Sequence, residues 1–145
     1  KNLVINNTKI DILLESGELE EALLLVNKFL EISPRNYPLS ISKSKILLSM
    51  QEYFKSEEII RDQLLRKNSD PELWLLLSEI QRNSKNIVGY HQSRAEYFLI
   101  LGQDERALNQ LEFALKLTQN NFQASERIMT KIISIKDNLK KSRAL

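Results

Sequence analysis

Apolar residues along this chain recur at three- and four-residue spacing in short runs, each run ending at a breaker or a polar cap. Leu19, Ala22, Leu23, Val26, Phe29 and Leu30 make one such stripe. Ala107, Leu108, Leu111, Ala114 and Leu115 make a second, and Ile128, Ile132, Ile135 and Leu139 a third. That spacing places each set on one face of an α-helix. The interruptions fall at Gly17, Pro34, Gln51, Asn68, Lys85, Gly102 and Gln119, each 17 residues after the last. The pattern predicts eight helices at about 2–16, 19–33, 37–50, 53–67, 71–84, 86–101, 104–118 and 121–140, each about 21 Å long at the helical rise.

The boundaries carry their own chemistry. In Ser69-Asp70-Pro71-Glu72, Asp70 is placed to cap and Pro71 to occupy the first helical position, where a missing N–H costs nothing. Asn36-Tyr37-Pro38 is a weaker version, and Asp104 and Asn121 are candidate caps for the helices that follow them. Gly17 and Gly102 suit left-handed helix ends. Pairs at four-residue spacing, Glu57 with Arg61, Asp62 with Arg66 and Glu112 with Lys116, fit exposed helix faces and are worth tenths of a kcal/mol each.

No helix of this kind buries its apolar face alone; stacking on the next one in sequence does so. The expected fold is therefore all-α, a helical-repeat solenoid of about eight antiparallel helices. It forms one domain over 1–145, with units at about 3–36, 37–70, 71–104 and 105–140. Two helices and two turns take 34 residues, the period of tetratricopeptide repeats (TPR). The first unit has Gly17, Ala22 and Pro34 at that family's spacings. The second keeps Ser56 at the small position but has Gln51 and Asn68 where Gly and Pro are preferred. The third has Trp74 and Leu77 at the aromatic and leucine positions, yet Tyr90 at the small one with Gly89 beside it; Ala107 restores a small residue.

A narrower resemblance rests on segments in a fixed order: Asn36-Tyr37-Pro38-Leu39; Asp70-Pro71-Glu72-Leu73-Trp74; His91 with Arg94-Ala95-Glu96-Tyr97; Gln110-Leu111-Glu112 and Ala114-Leu115-Lys116; Asn121-Phe122 and Arg127-Ile128. The chain resembles the C-terminal TPR domain of BepA-like (YfgC-like) periplasmic zinc metallopeptidases. In that family an HExxH peptidase domain precedes the repeats, and the proteins serve assembly and quality control of outer-membrane β-barrels. The resemblance implies a periplasmic location in a Gram-negative bacterium. It implies as partners the chain's own peptidase domain, the barrel-assembly machinery and unfolded barrel clients, with zinc only in the absent peptidase domain. The start at Lys1, without Met, fits a domain excised from a larger protein.

Composition narrows the chemistry. The 145 residues are 42% apolar and 28% charged, an ordinary balance for a folded domain, and three Gly with three Pro leave few breakers. The net charge of +2 is too small to argue for nucleic acid or a membrane surface. The stretch 11–31 is mainly acidic and 127–143 mainly basic. The longest apolar runs, 22–26 and 73–77, fall far short of the ~20 residues of a membrane span. With no Cys and one His, neither a thiolate site nor a multi-His metal site can form within the chain. Without HExxH, no catalytic residue, metal ligand or cofactor is assigned. His91, mid-helix, is read as a packing or hydrogen-bonding residue, as are Trp74, Tyr37, Tyr53, Tyr90 and Tyr97.

In a TPR array the first helix of each pair lines a concave surface. The repeat positions place Asn7, Asp11, Leu14, Ile41, Lys45, Leu48, Leu75, Glu79 and Arg82 there, a mixture suited to an extended peptide or another domain's edge. A carboxylate clamp is disfavoured, because Asp11 and Glu79 repel an anion beside Asn7 and Lys45. The same mixed ladder of Asp11, Lys45 and Glu79 disfavours RNA. The competing expectation is a stand-alone scaffold or oligomerisation module acting through the basic end helix with Lys131, Lys136, Lys140 and Lys141.

Overall fold

The computed structural model describes residues 3–144, with side chains from residue 6. The described residues form eight α-helices and no strand. They are α1 (Leu3–Glu15), α2 (Leu19–Ile32), α3 (Tyr37–Ser49), α4 (Tyr53–Leu64), α5 (Pro71–Asn83), α6 (Ile87–Ile100), α7 (Asp104–Leu117) and α8 (Phe122–Ala144). The fold is all-α, and its short antiparallel hairpins are compatible with a helical-repeat solenoid. The chain divides into two compact units, α1–α4 and α5–α8.

In the first unit α1 packs on α2 and α3, and α3 packs on α4. Ile10, Leu13, Ala22, Val26, Leu39 and Ile46 form the core, with Leu14, Leu23, Phe29 and Leu30 half-buried around it. The α3–α4 crossing rests on two serines that are fully buried, Ser44 and Ser56. Their hydroxyl oxygens lie 2.9 Å apart, and Ser56 Oγ donates to the Ser44 carbonyl at 2.7 Å. Small side chains let the two backbones approach, and each hydroxyl satisfies the other.

In the second unit α6 packs on α5 and on α7, and α7 packs on α8. Leu73, Leu76, Leu77 and Ile80 are buried on α5. Buried Ser93 donates to Gln81 Oε1 at 2.6 Å. The small residue at this crossing is Gly89, not its neighbour Tyr90. A Cβ built on Gly89 would stand 2.6 Å from both Asn86 Nδ2 and Gln81 Nε2, so only glycine leaves those two amides in place. Ala95, Phe98, Ala107, Leu111, Ala114, Ile128, Ile132 and Ile135 form the remaining core.

Two turn chemistries join the helices. Gly17, Gln51, Lys85 and Gly102 all have positive φ. Each is closed by a bond back five residues: Glu18 N–H to the Leu13 carbonyl (2.9 Å), Glu52 to Leu47, Asn86 to Gln81 and Gln103 to Phe98 (each 2.8 Å). These are Schellman closures. The α2–α3 and α7–α8 turns instead use an asparagine cap: Asn36 Oδ1 accepts from Leu39 N–H at 3.0 Å, and Asn121 Oδ1 from Ala124 N–H at 3.1 Å. Asp70 caps α5 by accepting from Glu72 N–H at 3.0 Å, with Pro71 in the first turn.

Schellman closures stand on both sides of α6, so strict alternation of the two turn types breaks there. The consequence is visible in the cores. Ile10, Leu13, Gly17, Ala22, Val26 and Asn36 of α1–α3 match Ala95, Phe98, Gly102, Ala107, Leu111 and Asn121 of α6–α8, each 85 residues on. That offset is five half-repeats, so α6 does in its unit what α1 does in the other.

At Gln51 and Lys85 an L side chain occupies the left-handed region, at a cost of roughly 1–2 kcal/mol. Replacing Lys85 with glycine relieves that strain and gives back part of it as unfolded-chain entropy. The expected net gain is about 0.5–1 kcal/mol, read as a rise in the urea midpoint.

Some local expectations are corrected. Asp104 does not cap α7; Gln103 holds the cap position without a side-chain bond, and Asp104 is the first helical residue. There its carboxylate faces the positive end of the helix dipole instead. α4 ends at Leu64, and α8 continues to Ala144 with Lys141 and Arg143 in its last turn, where cations suit the dipole. The Glu57–Arg61 and Asp62–Arg66 pairs form at 2.7 and 3.6 Å, whereas Glu112 and Lys116, both exposed, do not pair among the described residues.

Candidate functional site

Six of the nine expected groove residues lie on α1 and α3. Ser42, buried on α3, sits between two of them: its hydroxyl is 3.0 Å from Asp11 Oδ1 and 3.2 Å from Asn7 Oδ1. One hydroxyl proton is thus shared between a carboxylate and an amide oxygen, which ties α1 to α3. Asn7, Asp11, Leu14, Ile41 and Leu48 are half-buried, and Lys45 is exposed. Lys45 has no ion-pair partner among the described residues, so its ammonium is available to a ligand. The other three, Leu75, Glu79 and Arg82, lie exposed on α5. The Glu79 carbonyl accepts from Asn83 Nδ2, and its carboxylate stands in solvent.

The 85-residue correspondence brings a second groove into view. Asn7, Asp11, Leu14 and Ser42 match Gln92, Glu96, Leu99 and Arg127. Between α6 and α8 these positions border a cleft of about 220 Å3, lined by Gln92, Ala95, Glu96, Leu111, Arg127, Ile128 and Lys131. Lys131 Nζ lies 3.2 Å from Glu96 Oε1 across it. Two differences between the units open this seam. Where α1 has Ile10, fully buried, α6 has Ala95; where α3 has Ile46, also fully buried, α8 has Lys131. Two large aliphatic side chains close the α1–α3 seam, while a methyl group and a lysine that must reach water leave the α6–α8 seam open.

No protein-family model matches the chain, and no curated protein matches it.

The first unit also has a furrow on its other side. Leu23, Asn27, Lys43, Leu47, Lys55, Glu58 and Ile59 line one stretch of about 340 Å3. Leu30, Pro34, Ser40, Asp62 and Gln63 continue it past Lys43, Glu58 and Ile59. Its charges are balanced, two lysines against Glu58 and Asp62.

His91 is a structural residue of the α6–α7 pair. Its Nδ1 is 2.8 Å from Gln110 Oε1; an amide oxygen only accepts, so Nδ1 carries the proton. The ring stacks on Phe113 at 5.3 Å and meets the Tyr90 edge at 5.0 Å. Tyr37 lies under Lys67 Nζ at 4.2 Å, and Tyr97 packs edge-on against Phe98 at 5.5 Å. Among the described residues no group of three or more His, Asp or Glu side chains is placed to hold a metal ion, and none of the helices is long and apolar enough to cross a membrane.

The sequence-based groove omitted Ser42, Gln92, Glu96, Arg127 and Lys131. Ser42 was hidden because a serine in mid-helix gives no periodic signal. The other four were hidden by assuming a constant 34-residue phase. A signal for them existed: Gly102, Ala107 and Asn121 repeat the spacing of Gly17, Ala22 and Asn36.

Proposed function

We propose that this chain is a protein-binding module of the tetratricopeptide type whose helix grooves hold an extended peptide or the edge of another domain, and that it carries no catalytic centre of its own. The observation that carries the reading is the α1–α3 groove, with pinned Asn7 and Asp11, half-buried Leu14, Ile41 and Leu48, and unpartnered Lys45. Half-buried apolar side chains beside available charge are what a peptide backbone with mixed side chains needs. The resemblance to BepA-like proteins supports a more specific setting. In it the chain serves a periplasmic zinc metallopeptidase in outer-membrane protein assembly and quality control, binding the peptidase body, the barrel-assembly machinery and unfolded barrel clients.

Binding of the chain to barrel-assembly components and to unfolded barrel proteins tests this. Combined Lys45→Glu and Glu79→Lys reversal is expected to weaken at least one such interaction by roughly tenfold, since like charge across a contact costs affinity. If every interaction survived the reversal unchanged, the groove assignment would be wrong.

A second reading has its own observation. On α8, Phe122, Met129 and Ile133 are 76%, 41% and 53% exposed and share one face with Lys136 and Lys140. A scaffold or oligomerisation module would use such a face. Light scattering separates the two: a dimer whose mass does not change with concentration favours the scaffold.

A further inference from the structure

We infer that the α6–α8 cleft is the anchoring site of the module, and that it takes an acidic extended segment that inserts one apolar side chain between Ala95, Leu111 and Ile128 and sets a carboxylate against Arg127. This rests on the protein-binding reading above and names where the segment docks and what chemistry it carries.

Three observations lead there. The cleft has an apolar floor, because Ala95 and Ile128 are each 1% exposed and Leu111 is 3% exposed. At about 220 Å3 it is smaller than the ~300–1,000 Å3 of small-molecule sites, and it suits a single side chain. Its rim is positive on balance: Glu96 is engaged by Lys131 at 3.2 Å, while exposed Arg127 has no partner among the described residues. A guanidinium beside an apolar pit can grip a carboxylate in two parallel bonds. The matching seam between α1 and α3 cannot do the same. Ile10 and Ile46 fill it, and Ser42 stands where Arg127 does. Of the two equivalent seams, one is closed and neutral at that point, and the other is open and basic.

Two labelled ten-residue peptides test the assignment by fluorescence anisotropy on the whole chain. One has a central leucine flanked by glutamates, and the other has the same leucine flanked by lysines. The glutamate peptide is expected to bind more tightly by roughly fivefold or more at low salt, with the margin shrinking as salt is added. Arg127→Glu is expected to remove the preference. Ala95→Ile is expected to remove binding of both peptides by supplying the side chain that fills the other seam. Because isoleucine already occupies that place in α1, the variant stays folded, which its helical circular dichroism and melting curve will show. Equal affinity for the two peptides overturns the proposal, as does undiminished binding to folded Ala95→Ile. If Lys45→Glu abolishes binding while Arg127→Glu leaves it intact, the cleft is not the anchor and the wider protein-binding reading stands.

Discussion

Replacing Ser56 with leucine is expected to destabilise the α3–α4 pair by about 3–4 kcal/mol. Ser56 and Ser44 are fully buried at the point where the two helices cross, and three contacts of 2.7 to 3.1 Å join their hydroxyls and carbonyls. A leucine there must force the helices apart, and overpacking of a filled crossing costs about 1–3 kcal/mol. It also removes a buried hydroxyl pair, adding about 1–2 kcal/mol for the broken bonds and the stranded Ser44. Ser56→Ala should cost only about 1 kcal/mol. Ala22 and Ala107, both fully buried, already serve as the small residue in their helices, so the backbone approach tolerates a methyl group. Urea unfolding of the two variants gives the comparison. A leucine variant no less stable than the alanine variant would mean that the crossing has room to spare, and the close-approach account of these helices would fail.

That crossing also shows what sequence could and could not reveal. α3 has Ser40, Ser42, Ser44 and Ser49 within thirteen residues and almost no amphipathic stripe. Its existence was legible only because interruptions at Pro34 and Gln51 bracket a helix-sized gap. The apolar stripes of α2, α7 and α8 were legible directly, because burial there is by aliphatic side chains at helical spacing. The third crossing was harder. Counting places Tyr90 at the tight position, yet the helix rotates to put Gly89 against Gln81, since a tyrosine cannot enter a gap that a methyl group would overfill. Spacing gives the position along a helix to within a residue or two; which side chain faces the neighbour is settled by volume.

The site was legible by halves. Asn7, Asp11 and Lys45 follow from the repeat and occur together on α1 and α3. Gln92, Glu96, Arg127 and Lys131 do not, because the phase of the repeat changes at α6. No residue in α6 announces that change by itself. It comes from the turns, where Lys85 takes the left-handed conformation normally left to glycine, and Gly102 takes it again one helix later. Lysine is a poor reporter of a positive φ, so the first of these two closures was readable only from its place in the series.

The α8 helix depends on its buried isoleucines, and Ile128→Ala is expected to cost about 3 kcal/mol. Ile128 is 1% exposed, within a row continued by Ile132 and Ile135, and large-to-small changes at such sites cost about 2–5 kcal/mol. The polar contacts that also tie α8 down cannot compensate. Lys131–Glu96 is a partly exposed pair, and Arg143–Glu105 at 3.3 Å has side chains 72% and 80% exposed; exposed pairs contribute 0–1 kcal/mol and weaken in salt. Hydrogen exchange should therefore report faster opening of α8 amides in Ile128→Ala, by on the order of 100-fold for ~3 kcal/mol, and almost no change in Arg143→Ala. The same variant bears on function, because α8 supplies Arg127, Lys131 and the floor of the cleft. Peptide affinity should fall in Ile128→Ala even though the cleft becomes larger, because Arg127 would be held by a helix that opens more often. Unchanged protection of α8 in Ile128→Ala would show that the isoleucine row does not hold this helix. Tighter peptide binding would show that the size of the pit matters more than the rigidity of its rim.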